Sequence, residues 1–281
     1  MKCPYRTYTI RYHCNFFRYF FIHPLPPRFM GLFPFIISFH NKPIIHILRR
    51  LKMNWNDTTV NSYEQRIPCK IPGYYNLYEM MNYFLFTTLP KENMNPNLLV
   101  IGAGGGQEIL SIGKQNSNLS FTGVDPSESM LQLAKKRIES EGIQNQIHFV
   151  HGTVHSLLTN PLFDAATCML VLHFIPTIKE KKELLNEISS RLKPGAPFFL
   201  STINGVPHTS MFSAQLNAWR NHMMQNQIPL EDWNRFENSF ETEIFPISET
   251  NLLAILKECG FIHITRFFSS FLIDGYVAFK Q

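Results

Sequence analysis

The stretch Val100-Ile101-Gly102-Ala103-Gly104-Gly105-Gly106-Gln107-Glu108 decides the fold. The apolar run Leu98-Leu99-Val100-Ile101 gives way to four glycines in five residues and then to side chains that favour a helix. A continuous apolar run of that length is what a strand buried on both faces requires. Glycine has no Cβ, so the chain can turn at positive φ and its backbone can come close to a ligand. The stretch therefore predicts a strand, a tight turn and a helix, with the turn at the carboxyl end of the strand. Taken alone, such a turn is equally compatible with a purely structural role. It also fits the nicotinamide-dinucleotide pattern GxGxxG/A loosely, through Gly102 and Gly104, but Gln107 stands in the third position.

Outward from this turn the chain alternates apolar runs with helical patterns, a rhythm that predicts an α/β fold with a parallel sheet. The helix after the glycines is expected over Gln107–Gln115. Further strands are expected over Leu119–Val124, Ile147–His151, Ala165–Leu172 and Pro197–Ile203. Ser127 is a candidate N-cap for a helix that places Met130, Leu131, Ala134 and Ile138 on one face and ends at Gly142. An amphipathic helix over Lys179–Leu192, with Leu184, Leu185, Ile188 and Leu192 inward, stops at Lys193-Pro194-Gly195. Residues 205–248, rich in Trp, Met, Asn and Gln, read as an inserted helical cap with Met211, Met223 and Met224 in its core. Glu249–Cys259 is a last helix, and Ile262–Phe268 with Phe271–Phe279 a closing antiparallel pair.

Charge divides the chain. Residues 1–53 carry nine Lys and Arg and no Asp or Glu, which leaves 17 basic and 21 acidic residues in 54–281. The body is thus mildly acidic and offers no basic nucleic-acid-binding face. Residues 1–52 read as an atypical extension, disordered or foreign to the natural protein, with Met53 as the expected start; a membrane-surface anchor is the third reading. Charged residues and prolines interrupt every apolar stretch there, so neither a spanning helix nor a signal peptide is expected. Five cysteines without paired spacing suggest no metal site and no disulfide framework, and a cytoplasmic setting follows.

Asp125 ends the second strand, 23 residues after Gly102. A carboxylate there can accept hydrogen bonds from both hydroxyls of an adenosine ribose; its bland alternative is an acid favoured by a helix dipole. With it the motifs form an ordered set: Gly102–Gly106, Gly123-Val124-Asp125, His151-Gly152-Thr153, Phe163-Asp164 and Leu192-Lys193-Pro194-Gly195. Over residues 58–281 this set resembles the class I S-adenosylmethionine-dependent methyltransferases. The resemblance implies a Rossmann-like three-layer α/β sandwich, with a mostly parallel seven-stranded sheet, an antiparallel last strand and a helical cap. It implies residues 53–96 as an N-terminal helical cover and 97–281 as the methyltransferase domain, with the cap at 205–248. It implies S-adenosyl-L-methionine as cofactor, with Gly102, Gly104 and Gly106 lining its methionine and ribose part, Asp125 holding the ribose, Thr153 and Val154 flanking the adenine, and Ala103, Pro126 and Leu170 also among the cofactor-binding residues. Many relatives carry an Asp where Thr153 stands; Thr153 can accept from the adenine amino group only through its hydroxyl.

A narrower resemblance links Ile71-Pro72-Gly73-Tyr74 to the carboxy-S-adenosylmethionine synthases and implies Tyr74 against the cofactor. Those synthases place an Asn near His173, so carboxymethyl chemistry is not implied. His173 is the candidate general base, or else a packing residue under the cap. Tyr74, Tyr75 and Trp219 are candidate substrate-cage aromatics. Methyl transfer from a sulfonium requires alignment of donor and acceptor and exclusion of water rather than a nucleophilic side chain or a metal. The expected partner is a small-molecule acceptor, with tRNA as the alternative and no integral membrane association.

Overall fold

The computed structural model describes residues 66–158 and 160–281. The expectations for residues 1–52 and for 53–65 lie outside the described residues. After a helical stretch at 66–70 come α1 (Tyr74–Thr88), β1 (Asn97–Ile101), α2 (Gln107–Gly113), β2 (Ser120–Asp125) and α3 (Glu128–Ser140). They are followed by β3 (Gln146–His151), β4 (Ala165–Met169), α4 (Ile178–Ser189) and β5 (Pro197–Ile203). The chain closes with α5 (Ser210–Gln225), α6 (Leu230–Asn238), α7 (Glu249–Glu258), β6 (Phe261–Ser270) and β7 (Ile273–Lys280).

The seven strands form one sheet in the order β3-β2-β1-β4-β5-β7-β6. β1 to β5 pair in parallel, and β7 runs antiparallel to both of its neighbours. Alternation along β1 splits its apolar run between two cores. Leu98 and Val100 face a core with Leu77 and Met81 of α1, Ile109 of α2 and Ala134 of α3. Leu99 and Ile101 face the other, with Leu185 and Ile188 of α4 and Leu252 and Ile255 of α7. All of these side chains are almost completely buried, and each such burial is worth about 1.5–3 kcal/mol. Helices on both faces of a mostly parallel sheet make the expected three-layer sandwich.

Local signals set the helix ends. Ser127 accepts from the Met130 N–H and caps α3, and Gly142 turns the chain beyond it with φ 67°. Thr177 and Glu180 form a reciprocal capping box, so α4 starts at Ile178 rather than Lys179 and stops at Ser189. β4 ends at Met169, three residues before the expected boundary, because Leu170 takes φ 59° and the chain turns into a short 3-10 helix, Leu172–Phe174. The region 205–248 contains α5 and α6; Met223 lies in their core and Met224 packs against it. Met211, expected beside them, is 65% exposed in the first turn of α5 and belongs to no core. Among the described residues no helix is long and apolar enough to cross a membrane.

Candidate functional site

The order β3-β2-β1-β4 places a topological switch between β1 and β4, and the carboxyl ends of these strands frame the crevice where open α/β sheets bind ligands. The glycine loop leaves β1 at this point. Gly102 has φ 65°, and a Cβ there would fall 2.4 Å from Val171 Cγ2, so the close approach of the β1 and β4 ends excludes any side chain. The loop is shaped before any ligand arrives. Ala103 N–H donates to Val124 O at 3.0 Å and Gly106 N–H to Ala103 O at 2.7 Å. Arg137 of α3 donates to the Gly105 carbonyl and, at 3.1 Å, to Gln107 Oε1. Gly106 starts α2 at φ 78°.

Asp125 closes this frame. Its Oδ2 accepts from Gly104 N–H and its Oδ1 from Ser127 N–H, both at 2.8 Å. Burial raises its pKa, while the two N–H groups and His151 oppose that shift. A carboxylate offers about four lone-pair sites, so two backbone bonds fix its orientation and leave two sites for hydroxyl donors. Gly152 N–H donates to the Asp125 carbonyl at 2.9 Å, bringing the β3 end alongside. There Val154 is buried, Pro126 and Thr153 are exposed, and His151 Nε2 lies 3.1 Å from Pro126 O. On the β4 side, Leu170 N–H is held by Ser201 O and Ser201 Oγ, each at 2.9 Å. A non-glycine residue at positive φ costs about 1–3 kcal/mol; the two bonds from β5 hold Leu170 in that conformation.

The remaining expected site residues lie on α1, on α5 and after β4. Tyr74, at the start of α1, is buried with its ring edge-on to Tyr75 and Tyr78. Tyr75 is 62% exposed. Trp219 is no cage aromatic: it is buried and donates its Nε1–H to Lys70 O at 2.7 Å, so its polar edge is spent on the chain. Of the two expectations for His173, the geometry favours the packing residue. It is buried against Phe174, its Nδ1 accepts from Ile203 N–H at 3.4 Å, and burial, with the Lys181 charge beside it, pushes its pKa down to about 3. With Nδ1 accepting from Ile203, the neutral ring carries its proton on Nε2 and keeps no free lone pair to act as a base.

Two groups escaped the sequence reading. Glu108 in the first turn of α2 is buried, and Lys181 of α4 is buried with its Nζ donating to Leu172 O, Ile175 O and Phe245 O at 2.7, 2.6 and 3.0 Å. Glu108 could have been found as an acid abutting four glycines. Lys181 sits in Lys179-Glu180-Lys181-Lys182-Glu183, which reads as a solvated face. Among the described residues no group of three or more His, Cys, Asp or Glu could hold a metal ion.

An open sheet with a side-chain-free cradle at its switch point and an oriented strand-end carboxylate beside it defines a Rossmann-like, nucleotide-binding class of protein. Comparison with known proteins narrows this. Residues 99–198 match the family model described as a methyltransferase domain. A stretch of 108 residues is 32% identical to the mitochondrial ubiquinone biosynthesis O-methyltransferase of Schizosaccharomyces pombe, covering 38% of this chain and 38% of that protein. The chain thus spans well under half the length of that relative. A longer match, 22% identical over 231 residues, joins 82% of this chain to 95% of the carboxy-S-adenosyl-L-methionine synthase of Campylobacter fetus. Among solved structures, the magnesium protoporphyrin IX methyltransferase of Synechocystis, with bound SAH, superposes with TM-score 0.57 at 16% identity over 81% of this chain and 96% of that one; at that identity the likeness is one of fold. Residues 99–198 are therefore similar to a methyltransferase domain, and the chain shares the fold of S-adenosylmethionine-dependent methyltransferases.

Proposed function

We propose that this protein binds S-adenosyl-L-methionine at the β1–β4 switch point and transfers its methyl group to an oxygen of a small-molecule acceptor. The observation that supports this best is Asp125, oriented by Gly104 N–H and Ser127 N–H with acceptor sites left over for a pair of hydroxyls. Gly102, Ala103, Gly104 and Gly106 form the cradle, Pro126, Thr153 and Val154 the adenine flank, and Leu170 the wall toward the acceptor. The cofactor supplies an activated methyl group on a sulfonium. The chain's part is to bind, orient and exclude water. The helical stretches at 66–88 and the cap at 205–248 fit the role of cover, with Tyr74 beneath it. An oxygen acceptor is favoured by the ubiquinone O-methyltransferases among the relatives, and an acidic body by a small molecule over RNA.

Calorimetric titration with S-adenosylhomocysteine tests this reading. Micromolar binding is expected, and Asp125→Ala should weaken it by about 1.5–3 kcal/mol, the loss of a charged hydrogen-bond acceptor. Unchanged affinity in the variant would remove the ribose assignment. The near full-length match to a carboxy-S-adenosyl-L-methionine synthase supports a second reading, carboxymethyl-forming chemistry. Mass spectrometry of the products separates the two, since a methylated acceptor and a carboxylated cofactor differ in mass.

A further inference from the structure

Glu108 stands two residues beyond the glycine loop and is 3% exposed. Its Oε1 is shut off from solvent and has no hydrogen-bond partner. A buried polar atom without a partner is costly, and the packing of α2 does not call for it, because Ile109, Leu110 and Ile112 already fill the core-facing side. The charged and titratable groups around it are Asp125 at the end of β2, Arg137 on α3 and Cys168 on β4. Burial, reinforced by Asp125, pushes the Glu108 carboxyl up to about 8; its own backbone N–H and Arg137 only partly oppose this. The free protein therefore keeps a mostly neutral acid beside the cradle at pH 7.

The ligand proposed above has a second polar end. Its adenosine needs Asp125, while its amino-acid end brings an α-ammonium that must leave water. A desolvated cation is stable only against a partner of opposite charge. We propose that Glu108 receives this α-ammonium, releasing its own proton as the cation docks. The carboxylic O–H bond breaks, its electron pair stays on the carboxylate, and the proton passes to the buffer. An adjacent cation favours the ionised form of an acid, so ionisation and docking are one event. This inference rests on the cofactor reading, and Glu108 acts in it as a binding residue.

The test is titration of the full chain at pH 7 with S-adenosylhomocysteine and with 5′-methylthioadenosine, which keeps the adenosine and thioether but lacks the amino acid. Each titration is run in two buffers of different ionisation enthalpy, so that released protons are counted. The wild type is expected to release close to one proton with S-adenosylhomocysteine and none with methylthioadenosine. Glu108→Gln should abolish the proton release and weaken S-adenosylhomocysteine about tenfold or more, as loss of a charged hydrogen bond does, leaving methylthioadenosine within about twofold. Equal weakening of both ligands, or equal proton release with both, overturns the assignment. Should the wild type bind neither ligand, the cofactor reading fails and this inference with it. Should it bind both and Glu108→Gln behave like the wild type, only Glu108 is misassigned. Glutamine keeps the shape of the neutral acid; if the variant nonetheless misfolds, the proton count on the wild type decides alone.

Discussion

His173 has the side chain most often recruited for proton transfer, at the strand end where ligands bind, yet its surroundings cancel that chemistry. Burial holds its pKa near 3 against the ordinary 6.5. A folded-state value below the unfolded one means that the unfolded chain takes up a proton as pH falls through 6.5 while the folded chain does not. Stability from this group is fully present above pH 6.5 and is lost on acidification, by about 1.4 kcal/mol per pH unit down to the folded value. Between pH 6.5 and 5 the wild type should lose about 2 kcal/mol through His173. His173→Asn keeps an acceptor for Ile203 N–H and should lose that much less over the same range in urea denaturation; parallel losses in the two proteins would mean that the ring titrates normally. Burial of this kind does not show in one sequence. Gly102 and Asp125 were legible because what constrains them is local: the first must turn with no Cβ, and the second ends a strand beside the loop it binds. The Trp219 indole was misread for the same reason as His173, since its partner, Lys70 O, lies 149 residues away.

At the scale of elements, the turn after β4 is the part least predictable from pattern. Its apolar run, Met169-Leu170-Val171-Leu172, reads as continued strand, and only the bonds from Ser201 to Leu170 N–H show why it bends. The turn is then fastened twice to the segment after α6. Phe245 N–H donates to His173 O at 2.7 Å, and the Lys181 ammonium reaches Phe245 O as well as Leu172 O and Ile175 O. Burial lowers the Lys181 pKa to about 8, so at pH 7 the ammonium is mostly charged and bound to three carbonyls. Lys181→Met keeps the stem and strips the donors; Leu172 O keeps the Ile175 N–H, while Ile175 O and Phe245 O lose the ammonium, at about 1–3 kcal/mol for each left unsatisfied. The variant should unfold at lower urea, and the Phe245 amide should exchange with solvent at least about tenfold faster, the factor that 1.4 kcal/mol represents. Unchanged exchange at Phe245 would show that the lysine is not what holds the turn. The helices around the parallel strands were easier to read, because their caps and apolar faces are written within a few residues of each other, as at Ser127 and Thr177.

At the scale of the whole molecule, the core on one face of the sheet extends into a part of the molecule that is also sewn together by polar bonds. The helical stretch at 66–70 is tied to α6 through Arg66 and Lys70, which both reach Asp232, and to α5 through the Trp219 indole on Lys70 O. Trp219, Trp233, Phe236 and Phe240 stack edge to face beneath these ties. Such bonds link segments about 150 residues apart, so 66–70 and 210–238 should loosen together. Partly exposed ion pairs contribute little each, whereas the indole bond lies in a buried setting and should dominate. Trp219→Phe keeps an aromatic ring, removes the donor to Lys70 O and leaves a small cavity, at a cost of at least about 0.5–1.5 kcal/mol. Hydrogen exchange should then quicken by at least about twofold in both 66–70 and 210–238 while the β1–β5 amides keep wild-type rates, as expected for a local opening. Quickening confined to 210–238 would mean that residues 66–70 are held by something other than this bond. Quickening throughout the sheet would mean that cover and sheet are a single cooperative unit, and that a ligand could enter only by global opening.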